Sequence, residues 1–129
     1  MAASPAAGCY RERQERGENH GLFAGDELAG VVSLSTEVPG RWPDLQPGEG
    51  FRWLSTMAVS RRPGARGTGA QLLAGAEAWV ASLGVAAMYL DCVEGNGYLA
   101  SFYSGAGYEL LRTREMRPWL TMRVFRKGL

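Results

Sequence analysis

The 129-residue sequence predicts a mixed α/β domain. Three observations carry that reading. Near the start, two apolar runs flank Gly25-Asp26, the pattern of a β-hairpin. In the middle, a glycine- and arginine-rich stretch, RRPGARGTG at 61–69, leads into a run whose apolar residues recur at helical spacing. After an apolar strand come a second, shorter helical pattern and two closing strand-like runs.

The elements follow in order. Residues 1–8 read as an irregular tail and CYRERQERG (9–17) as a short, highly charged helix. GLFAGDELAGVVSLST (21–36) is the hairpin. EVPGRWPDLQPGEG (37–50) holds three prolines and three glycines and is a loop. FRWLSTMAV (51–59) is a strand. From Thr68 to Leu83, residues Leu72, Leu73, Ala76, Trp79, Val80 and Leu83 form one helical face, and Gly84 stops the helix. AAMYLDCV (86–93) reads as a strand buried on both faces. EGNG turns the chain, and Tyr98, Leu99, Phe102 and Tyr103 mark a short helix closed by Gly107. YELLRT and WLTMRVFRK form a final strand pair. Residues 1–19 are thus a tail or helix remnant, and 20–129 the folded domain.

Composition narrows the function classes. Hydrophobic residues are 46% and charged residues 21%, ordinary for a soluble globular chain. A net charge of +1 gives no global field toward nucleic acid or an anionic membrane. Basic charge is almost all arginine, Lys127 being the only lysine. Cys9 and Cys92 lie far apart, unlike a disulfide framework. MAASPAAG lacks a signal-peptide profile, and no apolar run reaches membrane-spanning length. A cytoplasmic protein without a metal is expected. The single histidine, His20, sits at a strand start, where a surface role is expected. No G-x-S-x-G elbow is present.

The glycine stretch poses the functional question. A strand entering a glycine-rich turn and a helix N-terminus makes an anion cradle, because unpaired backbone N–H groups and the helix dipole point at the ligand. A P-loop would need Gly-Lys-Ser/Thr, and no lysine is present there. A dinucleotide fingerprint beginning at Gly67 would need glycine where Leu72 stands. What remains is Gly67-Thr68-Gly69, Leu72-Leu73 soon after, and a preceding strand ending Met57-Ala58-Val59. Further on, NGYLASFYSGAGY (96–108) places Asn96, Phe102, Tyr103, Gly107 and Tyr108 at fixed intervals.

Together these two stretches resemble the GNAT superfamily of acetyl-CoA-dependent N-acetyltransferases. They resemble its Gln/Arg-x-x-Gly-x-Gly/Ala and Asn-x-x-Ala-x-x-Phe-Tyr-x-x-x-Gly-Phe/Tyr motifs. Gly64 stands at the Gln/Arg position and Leu99 at the alanine. The resemblance covers about residues 20–129. It implies a mainly antiparallel sheet with flanking helices and a V-shaped splay between its two central strands. The family opens with a strand and one or two helices for which the 19 residues before His20 are too few. A shortened N-terminus and an unpaired hairpin edge are therefore expected.

The resemblance also implies the chemistry. Acetyl-CoA as co-substrate would lie along Met57, Ala58 and Val59. Its pyrophosphate would sit on Arg61, Arg62, Gly64, Ala65, Arg66, Gly67, Thr68, Gly69 and Ala70, and its pantetheine arm near Tyr103 and Asn96, the latter equally readable as a turn residue. The acceptor would be a primary amine, expected to belong to a small molecule, attacking directly in a ternary complex. Tyr103 is the candidate acid for the departing thiolate, or else an aromatic core residue. Asp91, Glu94 and Glu49 are candidate bases. Asp91 interrupts an apolar strand, so it is either functional or held by a structural partner. A water chain is the alternative base. Trp42, Trp53 and Trp119 either line the acceptor pocket or anchor core and loops. Homodimers are common in the family. Two other readings stay open: a catalytically weak CoA-binding protein of this fold, and an interaction module pairing through a sheet edge.

Overall fold

In the computed structural model, which describes residues 10–12, 19–24, 27–48, 50–59, 68–95 and 97–129, the first element is a strand, β1 (Tyr10–Glu12). This corrects the charged helix expected over 9–17 wherever that segment is described. Three residues, two of them charged, give no periodic signal, and the backbone pairing with the next strand decides the conformation. The hairpin follows as β2 (Asn19–Ala24) and β3 (Glu27–Ser35). Ala24 stands opposite Glu27, so the connection is the two residues Gly25-Asp26, which lie outside the described set. β1 pairs antiparallel with β2, Glu12 opposite His20. The hairpin edge expected to be bare thus carries a short strand, and residues 10–12 belong to the same sheet as the domain.

Then come β4 (Phe51–Val59), α1 (Thr68–Ser82), β5 (Ala87–Val93), α2 (Gly97–Gly105), β6 (Glu109–Arg117) and β7 (Leu120–Gly128). The sheet order is β1-β2-β3-β4-β5-β7-β6. Every pair is antiparallel except β4–β5, whose strands are joined by the α1 crossover and run parallel.

Each strand divides its side chains between two faces. The helical face holds Val32, Leu34, Leu54, Met88, Leu90 and Phe125 under α1, whose Leu72, Leu73, Ala76 and Val80 are fully buried. Four of the six positions read as the helix stripe are core. Trp79 is half-buried, and Leu83 lies past the helix end, 50% exposed. On the opposite face no helix is present among the described residues. The loop 36–48 covers it instead, seating Trp42 against Trp53, Tyr89 and Val124. β5 is buried on both faces, as its sequence predicts.

Two glycines shape this packing. At Gly30 a Cβ would stand 2.7 Å from both the Ala58 carbonyl oxygen and Leu72 Cδ2, so α1 rests directly on β3 backbone. Gly107, at φ 99°, closes α2. There the Tyr108 N–H donates to the Tyr103 carbonyl (3.0 Å) and the Gly107 N–H to Ser104 (3.1 Å), satisfying the last turn.

His20 is 1% exposed, correcting the surface role expected of it. Its register opposite Val32 points it to the helical face, where its ring meets Trp79 at 4.2 Å. An imidazole packs as an amphipathic ring, which polarity alone does not reveal.

Candidate active site

The site begins where β4 and β5 stop pairing. Phe51–Leu54 lie beside Ala87–Leu90 in register, and beyond Leu54 and Leu90 the ladder ends. β4 runs on through Ser55–Val59, held on its outer side by β3, with Val32 opposite Met57, Val31 opposite Ala58 and Gly30 opposite Val59. β5 runs on through Asp91–Val93, held by β7. The parting has a local cause. Ser33 stands opposite Thr56 and Leu34 opposite Leu54, so Ser55 is an extra residue, a β-bulge that bends β4 away. Along Ser55–Val59 the side turned toward β5 therefore has no strand opposite it. Two strands each anchored outward leave a slot whose facing backbone groups have no strand partner among the described residues.

After β4 the next described element is α1, which opens at Thr68-Gly69. A Cβ at Gly69 would lie 3.8 Å from Phe102 of α2, so the first turn of α1 sits beside the aromatic pair Phe102-Tyr103. Behind Phe102 a groove of about 470 Å³ runs between the helices from Ala70 toward Glu77 and Lys127. Lys127 Nζ donates to Glu77 Oε1 (2.9 Å) and to the Ala106 carbonyl (2.8 Å), while the Tyr108 hydroxyl donates to Glu77 Oε2 (2.7 Å).

Tyr103 is 8% exposed and packs among Phe102, Tyr108 and Phe125. Burial pushes its phenol above the ordinary range, and Cys92 and Asp91 push it further. Among the described residues no group hydrogen-bonds its hydroxyl. Tyr103 is thus both a core aromatic and a protonated, uncommitted donor. Cys92 is a buried free thiol, its pKa raised by burial first and then by Asp91.

Asp91 has a different fate. Its carboxylate, 5% exposed, accepts from Arg41 Nε (2.6 Å), Arg41 Nη2 (3.0 Å) and Trp42 Nε1 (2.6 Å). The Asp91 hydrogen bond raises the Arg41 pKa, partly against burial. Three donors fix this carboxylate, and they tie the 36–48 loop to β5. That is the structural partner an acid in an apolar strand needs. Glu94 is paired with Arg123 Nη2 at 3.2 Å. Trp42 and Trp53 are core, at 1% and 0% exposure, and Trp119 is 76% exposed on the β6–β7 turn, beneath Arg117.

Of the sequence-derived site, Met57, Ala58 and Val59 form the part of β4 that β5 does not pair, Gly69 lies beside Phe102, Ala70 lines the groove between the helices, and Tyr103 packs in the aromatic cluster next to Phe102. Glu49, Arg61, Arg62, Gly64, Ala65, Arg66, Gly67 and Asn96 lie outside the described residues, as does the side chain of Thr68. Sequence reasoning missed the Arg41 clamp and the Glu77–Lys127–Tyr108 cluster. A lone acid in β5 and a lone lysine in the chain were the only signals, and neither names its partner. Among the described residues no group of three or more His, Cys, Asp or Glu side chains can hold a metal ion. No described helix is long and apolar enough to cross a membrane.

Comparison with known proteins bears on this slot. Residues 3–108 match the model of the acetyltransferase (GNAT) family. YesJ of Bacillus subtilis, named as an uncharacterized N-acetyltransferase, is 36% identical over 90 residues, which are 67% of this chain and 49% of that protein. The chain thus spans about half the length of that curated relative. A GNAT-family acetyltransferase from Listeria monocytogenes superposes with a TM-score of 0.71 at 23% identity, over 88% of this chain and 65% of its own. A Bacillus subtilis acetyltransferase solved with CoA gives 0.65 at 19% identity, over 86% and 76%. An Elizabethkingia anophelis GNAT acetyltransferase with acetyl-CoA bound gives 0.66 at 14%, over 86% and 75%. At these identities the structures speak for the fold. With the family model spanning most of the sequence, the chain belongs to the acetyltransferase (GNAT) family.

Proposed function

We propose that this protein transfers an acetyl group from acetyl-CoA to the primary amine of a small molecule. The observation that carries the reading is the parting of β4 and β5 at the Ser55 bulge, with α1 as the next described element after β4. Such a slot accepts an extended amide-bearing chain as an added strand, as pantetheine is. Met57, Ala58 and Val59 supply its backbone partners. Gly67, Thr68, Gly69 and Ala70 offer N–H groups to the pyrophosphate, with Arg61, Arg62 and Arg66 nearby in sequence. The groove behind Phe102 gives the nucleotide end a wall. Related structures holding CoA or acetyl-CoA support the choice of donor.

In the reaction the amine nitrogen attacks the thioester carbonyl carbon, a C–N bond forms and the C–S bond breaks. A backbone N–H near Met57 stabilises the charge developing on the carbonyl oxygen. Tyr103 gives its proton to the departing sulfur, and its raised pKa keeps that proton in place beforehand. The amine loses a proton to water, because the Asp91 carboxylate is already held by three donors.

Two measurements test this. Acetyl-CoA should raise the melting temperature, and Gly67→Asp, which sets an anion against the phosphates, should abolish the rise without unfolding the protein. Tyr103→Phe removes a hydroxyl with no partner among the described residues, so stability should barely change. With a competent amine, kcat should fall by on the order of 10²-fold or more while acetyl-CoA affinity holds. A mutant that turns over like the parent removes Tyr103 from the mechanism. A protein that binds acetyl-CoA yet acetylates no amine is a CoA-binding protein of this fold.

A further inference from the structure

Tyr103 packs against Phe125 on the helical face, and on the acetyl-transfer reading the thiolate it protonates would lie there too, which leaves the loop face to the acceptor. The charge there is uneven. Directly opposed residues in an antiparallel ladder share a face, and register places Glu109, Arg112, Arg114 and Arg117 of β6 on the loop face, opposite Arg126, Val124, Met122 and Leu120. Asp91 is on that face too, opposite Val124. In the β5–β7–β6 part of the sheet the acids on this face are thus Asp91 and Glu109. Arg41 neutralises Asp91, and Glu109 stands opposite Arg126, whose guanidinium lies over Tyr89 at 6.0 Å. Arg117 lies over Trp119 at the turn. Arg112 and Arg114 are left without an acid. The covering loop's own acids, Glu37 and Asp44, make no ion pair with them among the described residues.

Arg114 leans toward the slot. Val93, Met122 and Arg114 form one row across β5, β7 and β6, spanning about 10 Å at ordinary strand spacing. Arg114 Nη1 reaches the carbonyl oxygen of Arg41 at 3.5 Å, beside the Asp91 clamp. Arg41 spends Nε and Nη2 on Asp91, which leaves Nη1 without a partner among the described residues. Between these guanidiniums and the slot lies an apolar strip, half-buried Met122 and Val93, the latter 44% exposed.

We infer that the acceptor amine also carries a carboxylate, as an amino acid does, held on the loop face by Arg114 and the open edge of Arg41. Guanidinium donors match a carboxylate in geometry and charge. The same positive field repels a polycation, and it favours the neutral, attacking form of the acceptor amine. This inference rests on the acetyl-transfer reading above and narrows its acceptor.

The test pairs acids with their amides: L-phenylalanine and L-methionine against phenylalaninamide and methioninamide, with spermidine as the polycation. An amino amide has the less basic amine, so intrinsic availability favours it, and a preference for the acid must come from binding. The acids should show kcat/KM about tenfold or more above the amides. Arg114→Gln should raise their KM about tenfold and erase most of that advantage, and Arg114→Lys should restore part of it. Calorimetric binding of the same compounds to the CoA-bound protein reads the preference without turnover. Preferential binding of the acids with no amine acetylated keeps the carboxylate site and defeats acetyl transfer. Amides or spermidine bound and acetylated as well as the acids overturns this inference and leaves acetyl transfer standing.

Discussion

The two faces of the sheet solve the same burial problem with different materials. On the helical face, small periodic contributions add up: Leu72, Leu73, Ala76 and Val80 from α1 against Val32, Leu54, Met88 and Leu90. On the loop face, two indoles and a phenol carry most of the burial, with Trp53 stacked over Tyr89 at 6.0 Å and Trp42 dropped in from an irregular segment. Each face also holds one polar cluster, Glu77–Lys127–Tyr108 under the helices and Asp91–Arg41–Trp42 under the loop. A helix brings its own hydrogen bonds and asks only for apolar contact. A loop must be pinned, and here an ion pair and an indole N–H do the pinning.

The strongest way to break that contrast is to remove a ring. Trp53→Ala should cost about 3–5 kcal/mol and should make residues 36–48 a new site of proteolytic cleavage. Leu72→Ala, at the same depth on the other face, should cost about 2–5 kcal/mol and leave that loop protected. Urea unfolding and limited proteolysis read both. Equal sensitivity of the loop in the two variants would mean the faces do not fail separately.

A smaller effect sharpens the role of the loop's pin. Asp91→Asn keeps the shape but can accept at only one of the two oxygen positions, so at least the bond from Arg41 Nη2 or those from Arg41 Nε and Trp42 are lost, and stability should fall by about 1–3 kcal/mol. Turnover per folded molecule should stay within a few fold. A collapse of kcat with stability unchanged would make Asp91 the base and the clamp incidental.

The smallest effect belongs to the opposite cluster and depends on pH. Tyr108→Phe should cost about 1 kcal/mol near neutrality. Burial, with the Glu77 charge and hydrogen bond adding to it, lifts the Tyr108 phenol well above its ordinary range. The unfolded chain therefore ionises this tyrosine near pH 10 while the folded one keeps its proton. The folded state then binds more protons, and stability falls as pH rises above 10. The variant lacks that loss, so the two stabilities should converge between about pH 10 and 11.5. Parallel curves would deny the buried phenol its role.

Legibility in the sequence tracked the range of the forces involved. Strand 51–59 and the helix from Thr68 were readable because proline and glycine bracket them and their side chains repeat. β1 was not, since its three residues owe their conformation to β2 rather than to their own pattern. The slot itself is a failure of pairing between strands whose paired residues, such as Phe51 and Ala87, stand 36 positions apart; one extra residue at Ser55 sets it, and no local pattern announces it. Asp91 was recognised as anomalous, but its partner Arg41 lies fifty positions away in a loop without periodicity. Arg112 and Arg114 look like any solvated pair until the register shows which face they share with the slot.

Gly30 extends this lesson to what substitution can reach. It is buried in the second strand of the hairpin, far along the chain from the glycine-rich turn, with no side chain to offer a ligand. Yet the first added methyl would meet the Ala58 carbonyl and Leu72 together. Relief would mean lifting α1 from β3 and carrying with it the helix end that opens at Thr68. Exchange at Gly30 is therefore closed for a reason that belongs to a different segment. Such a position behaves in mutational drift as though it belonged to the helix that opens at Thr68, though it lies in a strand far from it in the chain.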